Sequence, residues 1–477
     1  MVEDFNESML TKSLLVIGNG FDLSCDLCSN YKEFLESILD EKTNFGKDKV
    51  FDEIKKGLKE YLRNVNFFHD SEDEVKGKIN QEYKIIQDLN VWYIIFLYKN
   101  MIHSSEWYLV ENQIFDELLE DKNSLNIFEK IGDTLLSIYT ESRNFPPRSP
   151  RYCSNKAKNP NWFELIDRIY EFLAYSLLNK NLNELNSEDS KNVFKELRNK
   201  VKNLNEEYHE IYKLDHELKE MQQVNFEKKI SSELFLYVAK TLLAELNELE
   251  LDFKNYLICC INSTKGSYTE AAKLYIYNIL NSIYCDRYGE YINSNFNILS
   301  FNYTTPWKDS SEGKIINHFF KSVNIHGELF NNDGIIFGVD DKKLLPTQNE
   351  YIFTKSSRTL DLNTKSKSRI TFAELLSSNI ENVVFYGHSL SIADNGYFKM
   401  IFDKYVEKEN VIFYFVYKVY SGTSKEKERK KLIKGIGELF GEYSIDKENN
   451  TDTFKKLIQN QRIKIIELDG IKCNVEK

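Results

Sequence analysis

The run Leu14-Leu15-Val16-Ile17 stops abruptly at Gly18-Asn19-Gly20. Four consecutive apolar residues with no polar alternation read as a short strand buried on both faces, as in the interior of a parallel sheet. The two glycines let the chain turn tightly and let its backbone approach a ligand closely. The residues that follow, through Tyr31 and Phe34, carry helical spacing. Strand, glycine turn and helix is the unit with which doubly wound α/β domains hold a dinucleotide phosphate at a helix N-terminus. The third glycine of that fingerprint is missing, since position 23 is Leu. A plain strand-to-helix turn therefore stays open beside a phosphate cradle.

Three later stretches repeat the form. Asn297-Ile298-Leu299-Ser300-Phe301-Asn302-Tyr303-Thr304, Val323-Asn324-Ile325-His326-Gly327 and Asn382-Val383-Val384-Phe385-Tyr386-Gly387-His388-Ser389-Leu390 are each an apolar strand ending in polar residues. Ligands of open parallel sheets lie outside the carboxyl ends of the strands. The expectation is that these ends converge, bringing two glycine turns together with Asn302, His326 and His388.

In these stretches, with Ile336-Phe337-Gly338-Val339-Asp340, Asp394 and Tyr397-Phe398, the chain resembles the AbiH family of bacterial abortive-infection (anti-phage) proteins. The matching segments lie toward both ends, whereas the middle resembles the family only as generic helix. The family's first motif usually continues with Gly-Leu-Pro or similar, where this chain has Asp26-Leu27-Cys28. More distantly, the motif order is similar to that of sirtuins and sirtuin-like NAD hydrolases. These carry Gly-Ala-Gly after the first strand, an Asn at a later strand end, a His-Gly pair and a Gly-x-Ser near the last strand. Gly18, Gly20, Asn302, His326, Gly387 and Ser389 fall on those positions in order. Sirtuin deacylases also hold a structural zinc with two Cys pairs after the His-Gly element. Here only Cys473 lies downstream of His326, so that site cannot form. The resemblance implies a Rossmann-like, sirtuin-like (DHS-type) α/β fold that takes NAD as a substrate and needs no metal.

Cleaving the bond between nicotinamide and ribose passes through an oxocarbenium-like state. Nicotinamide leaves readily, so the protein must orient the ribose, exclude water and supply one base. His326 is the candidate base, since imidazole titrates near neutrality. Asn302, which donates and accepts, suits holding the ribose or the attacking water. These two are the expected catalytic residues. Gly18, Asn19, Gly20, Phe21, Asp22, Tyr303, Gly387, His388, Ser389 and Asp394 are the expected nucleotide-binding ones. Each has a structural rival. Asn302 also fits a turn that bonds its own backbone, and His326 a surface turn. Asp22 suits either a ribose hydroxyl or a helix cap, and His388 either the underside of an adenine or a loop. Ser389 and Asp394 suit capping the helix that begins near Tyr397, which for Asp394 is the stronger reading.

The seven cysteines include Cys25-x-x-Cys28. With no second pair nearby, this reads as packing in a reducing compartment rather than as half a metal site. The N-terminus lacks the basic start and apolar core of a secretory segment, and no apolar run approaches the roughly 20 residues of a membrane span. A cytoplasmic protein with no membrane partner is expected. Net charge of −11 argues against a broad nucleic-acid surface. The basic stretch Lys425–Lys434 is interrupted by Glu426 and Glu428 and reads as a solvated helix face.

At 477 residues two domains are expected. Residues 1–48 and 286–477 read as the discontinuous Rossmann-like domain, and 49–285 as a large helical insertion after the first strand-helix unit. Within the insertion, Leu197, Leu204, Ile211 and Leu218 recur every seventh residue, flanked by Val201, Tyr208, Leu214 and Met221. This is the pattern of a coiled-coil-like hairpin near 190–225, packing within the chain, against another copy or against a partner protein. Residues 340–370 are polar and weakly periodic, either a lid or a surface loop. The function expected is an anti-phage effector that hydrolyses NAD to nicotinamide and ADP-ribose. Its rivals are a sensor that binds NAD, ADP-ribose or a related nucleotide without cleaving it, and a helical module that recognises a phage or partner protein.

Overall fold

A computed structural model of the chain describes residues 11–64, 86, 89–102, 110–118, 126–141, 160–212, 216–289, 294–309, 313–314, 319–330, 334–339, 344–365, 371–390, 394–419, 422–445 and 453–468. The chain divides into two compact units. One comprises Met1–Asn30, Phe253–Ile336 and Arg358–Lys477, and the other Tyr31–Asp252 and Phe337–Ser357.

The first unit is built on six strands, β1 (Thr11–Ile17), β2 (Asn295–Ser300), β3 (Phe319–Asn324), β4 (Asn382–Tyr386), β5 (Ile412–Tyr417) and β6 (Ile463–Glu467). They form one sheet in the order β3-β2-β1-β4-β5-β6. Every neighbouring pair is parallel. This is the 3-2-1-4-5-6 order of doubly wound dinucleotide-binding sheets, whose order reverses between β1 and β4. The unbroken apolar runs follow from burial of both faces. Leu14, Val16, Val383, Phe385, Phe413 and Phe415 face one core, and Leu15, Ile17, Val384, Tyr386, Tyr414 and Val416 face the other. The edge strand β6 has no comparable burial and is half-exposed along its length.

Helices cover both faces. On the second face lies α10 (Ser267–Tyr288), whose Ile276, Ile279, Leu280, Ile283 and Tyr284 pack with Leu15, Ile17, Ile298 and Val384. This packing extends the sheet-bearing unit back to Phe253, whereas the sequence placed the whole stretch to 285 with the insertion. On the first face lie α13 (Asn395–Tyr405) and α14 (Lys425–Ile445), through Phe398, Ile401, Phe402, Ile436, Leu439 and Phe440. The charged side of α14 is a solvated face, with Lys430 paired to Glu426 and Lys434 to Glu438 one turn apart.

The second unit contains α2 (Tyr31–Thr43), α3 (Val50–Asn64), α4 (Val91–Ile102), α5 (Val110–Leu118), α6 (Ile127–Glu141), α7 (Pro160–Asn179), α8 (Glu188–Tyr212) and α9 (His216–Ser263) as far as Asp252. Residues 91–98 of α4 form a buried helix, as their unbroken hydrophobicity and shortness require. Several buried polar groups here are paired. Glu245 accepts from the Val91 amide at 2.8 Å and faces Lys180 Nζ at 3.0 Å, while Trp92 Nε1 donates to the Leu242 carbonyl at 2.9 Å. Helices α8 and α9 cover the heptad stretch, with Leu197, Val201 and Leu204 buried. Residues 213–215, and the side chains of Tyr208, Ile211, Leu214, Leu218 and Met221, lie outside the described residues.

The 340–370 stretch is more ordered than its composition implied. It contains a 3₁₀ turn at Asn349–Phe353 and a helix, α11 (Lys355–Lys365), and the short helix α12 (Phe372–Leu375) follows it. One buried residue accounts for the turn, since Phe353 stacks on Phe128 with ring centres 5.4 Å apart. Residues 340–343 and 366–370 lie outside the described residues. Among the described residues no helix is long and apolar enough to cross a membrane.

Candidate active site

Because the strands are parallel, the residues that follow Ile17, Ser300, Asn324 and Tyr386 emerge at the same edge, from the four adjacent strands β1, β2, β3 and β4. The β1 and β4 exits interlock. Gly18 N–H donates to the Tyr386 carbonyl at 3.1 Å and Gly20 N–H to the Gly387 carbonyl at 2.8 Å. A Cβ on Gly20 would lie 2.7 Å from the Gly387 Cα, and one on Gly387, whose φ is +68°, would lie 2.4 Å from the Phe21 nitrogen. The sequence pattern assigned this close approach to a ligand. What approaches is backbone, and the two amides assigned to a pyrophosphate are engaged within the fold.

The turn continues into the short helix α1 (Asn19–Ser24). Asn19 is exposed, but its side chain exchanges hydrogen bonds with Ser29, tying down the loop after α1. Phe21 is buried edge-on against Trp307 and Tyr386. Asp26 stands at the place where the sequence pattern lacked a glycine. Its φ is +59°, so the backbone keeps the left-handed conformation, which Asp tolerates better than most residues. Cys25 and Cys28 are both free thiols. Burial pushes the Cys25 thiol well above its ordinary range, the behaviour of a packing cysteine.

Asp22 caps nothing. Its carboxylate is 2% exposed and accepts from Tyr268 Oη at 2.8 Å and from Thr304 Oγ1 at 3.0 and 2.8 Å. Burial raises its pKa to about 6, against the opposing pull of Tyr268, Thr304 and the neighbouring Asn302. Asn302 stands beside this carboxylate, and its backbone carbonyl accepts from Asn324 Nδ2 at 2.8 Å. The turn reading explains the backbone of Asn302, whose amide donates to Ser300 Oγ at 3.1 Å. It does not explain the side chain. Both polar atoms of the Asn302 amide are buried with no hydrogen bond of normal geometry among the described residues. Tyr303 is a packing residue, edge-on to Phe253 and bonded through its hydroxyl to the Ile336 carbonyl at 3.3 Å.

The histidines meet at Asp394. His326 Nε2 is 3.3 Å from Asp394 Oδ1, and His388 Nε2 is 3.3 Å from Oδ2. Asp394 occupies the N-cap position of α13, yet its side chain makes no capping bond. The cap expected from sequence is therefore replaced by a carboxylate bracketed by two imidazoles. His326 stands in a turn and His388 in the loop after β4, as the structural readings had them, but neither is a surface residue, since both side chains are only 5% exposed. Phe301 packs against both rings, centred 5.9 Å from His326 and 4.4 Å from His388. The His388 ring also lies over the first glycine, since a Cβ on Gly18 would come 2.9 Å from its Cδ2. Ser389, by contrast, is exposed at the rim.

Contacts thus run unbroken from Gly18 through His388 and Asp394 to His326, with Phe301 leading to Asn302 and Asp22. His326 Nδ1 and both amide atoms of Asn395 join Asn302 as buried polar atoms without partners among the described residues. Buried polar groups are nearly always satisfied, and a ligand or water at this sheet edge would complete the set. Among the described residues, no group of three or more His, Cys, Asp or Glu side chains is disposed to hold a metal ion. Sequence reading missed Thr304, Tyr268, Asn324 and Asn395. Thr304 and Asn324 sit inside the quoted motifs, but Tyr268 is 246 residues from Asp22 and gave no signal.

The family model described as bacteriophage abortive infection AbiH matches residues 14–417. No curated protein and no solved structure matches the chain.

Proposed function

The chain belongs to the AbiH family of bacteriophage abortive infection proteins, and from that premise we propose that it acts by binding NAD at this sheet edge and hydrolysing it to nicotinamide and ADP-ribose. The observation that carries the reading is His326 Nδ1, buried without a partner among the described residues, at the end of the strand next to the one that carries the buried Asn302 amide, which has only Asp22 beside it. The strand order and the ordered likeness to sirtuin-like NAD hydrolases support it.

In this reading the Asn302 side chain hydrogen-bonds the nicotinamide ribose or the attacking water. His326 accepts a proton from that water as oxygen bonds to the anomeric carbon. The glycosidic bond breaks with its electron pair on the pyridinium nitrogen, so nicotinamide leaves neutral. The products are nicotinamide, ADP-ribose and one proton. Asp22 holds Thr304 and lies beside Asn302, fixing the β2 exit. Gly18, Gly20 and Gly387 lock two exits into a floor and leave the phosphates to other groups at the rim, where Asn19 and Ser389 are exposed. Loss of NAD would arrest an infected cell.

The test is nicotinamide release from NAD by the purified full chain, alone and with phage lysate as trigger. His326→Ala and Asn302→Ala are expected to lower turnover about 10²–10⁴-fold with unchanged thermal unfolding. Full activity in His326→Ala removes the assignment. Calorimetric binding of NAD without product would favour the sensor.

A further inference from the structure

We infer that Asp394 is a positioning residue that fixes the tautomers of both histidines, leaving the Nδ1 lone pair of His326 as the single base of the site. This rests on the NAD-hydrolase reading only for the identity of what the base deprotonates.

His388 Nδ1 accepts the Leu390 backbone N–H at 2.9 Å, so that nitrogen carries a lone pair. A neutral imidazole has one proton, which must then sit on Nε2, the atom that faces Asp394 Oδ2 at 3.3 Å. An ionised carboxylate only accepts, and its other oxygen faces His326 Nε2 at the same distance. His326 Nε2 is therefore also the protonated nitrogen. Its second nitrogen, Nδ1, is left as a bare lone pair, buried and without a partner among the described residues. The Leu390 amide is available because the chain turns back there, with φ of +56° at Leu390.

Each partner holds a separate part of the arrangement. The Leu390 amide orients His388, Asp394 sets the proton position on both rings, and Phe301 packs against both. Asp394 gives up capping α13 to do so, although its charge still sits at the favourable end of that helix. When His326 Nδ1 takes a proton, the ring becomes an imidazolium whose Nε2–H already faces a carboxylate. That pairing stabilises the charge without reorganisation.

The test is Asp394→Asn, read by ring-nitrogen NMR on the full chain labelled with ¹⁵N-histidine. Only seven histidines are present, and His326→Gln and His388→Gln assign the two signals. A carboxamide accepts through one atom and donates through the other, so it cannot satisfy two Nε2–H donors. The Leu390 amide holds His388 in place, so His326 must change. The expected result is wild-type protein with protonated Nε2 and bare Nδ1 on both rings, and Asp394→Asn with the His326 proton moved to Nδ1. Asp394→Glu, still acceptor-only, keeps the wild-type pattern.

Wild-type His326 protonated at Nδ1 would overturn the inference, and this measurement needs no variant to fold. So would an unchanged His326 in folded Asp394→Asn. NAD turnover in Asp394→Asn is expected to fall about 10²–10⁴-fold through kcat with little change in KM. The tautomers are read without NAD. A correct pattern in an inactive wild-type protein counts against the hydrolase reading alone, and a wrong pattern in an active one counts against Asp394 alone.

Discussion

Replacing Asp22 by Asn should flatten the pH dependence of stability between pH 4 and 7. The Asp22 carboxyl is 2% exposed, and burial lifts its pKa from 3.8 to about 6. The unfolded chain gives up this proton near pH 4, whereas the native protein keeps it until about pH 6. Over that window the native state binds more protons, so stability falls as pH rises. A shift of about two units at about 1.36 kcal/mol each makes the loss about 3 kcal/mol, complete above the folded pKa. Asn carries no charge at any of these pH values. It still offers an oxygen to Thr304 and Tyr268, and it presents an N–H₂ group on the side of Asn302. The assay is urea unfolding of both proteins from pH 4 to 7.5. Wild-type stability minus variant stability should decrease by about 3 kcal/mol across that range. Parallel curves would refute the claim that this carboxylate is buried against its preference. Such a burden at a strand end is what a functional site tends to retain.

Gly387→Ala adds a Cβ 2.4 Å from the Phe21 nitrogen at a φ of +68°. It should cost about 2 kcal/mol or more in thermal unfolding, and a cost below about 0.5 kcal/mol would show that the two exits do not interlock. Asp26→Gly relieves a left-handed aspartate at φ +59° and should raise stability by about 0.5–1 kcal/mol, the strain gain exceeding the added chain entropy. In the helical unit, Lys180→Met leaves the Glu245 carboxylate buried and uncompensated, for a loss of about 3–5 kcal/mol in urea unfolding. Adding Glu245→Gln should recover most of that loss, and no recovery would contradict the pairing.

The strands were readable because burial on both faces leaves no room for alternation. Leu14 to Ile17 and Val383 to Tyr386 divide between two cores residue by residue. The meeting of His326 with His388 followed from parallel strands, whose ends share one edge. The roles within the site were less visible. Asp394 looked like a helix cap because it stands at one, and only the fold shows that its carboxylate turns to two histidines. Gly18 and Gly20 were legible as residues of close approach, but residue type cannot say whether backbone or ligand approaches. Tyr268 carries no local pattern tying it to Asp22, and α11 escaped notice because its charged residues hide a helical period.

The central claim is that the β1 to β4 ends form an NAD-hydrolysing site used against phage. It is tested most directly by following NAD, nicotinamide and ADP-ribose in phage-challenged cells carrying the wild-type chain or His326→Ala. The account predicts that wild-type cells stop the phage while NAD collapses and both products rise, and that His326→Ala cells keep their NAD and lose protection. Protection by the wild-type chain with NAD unchanged would contradict it.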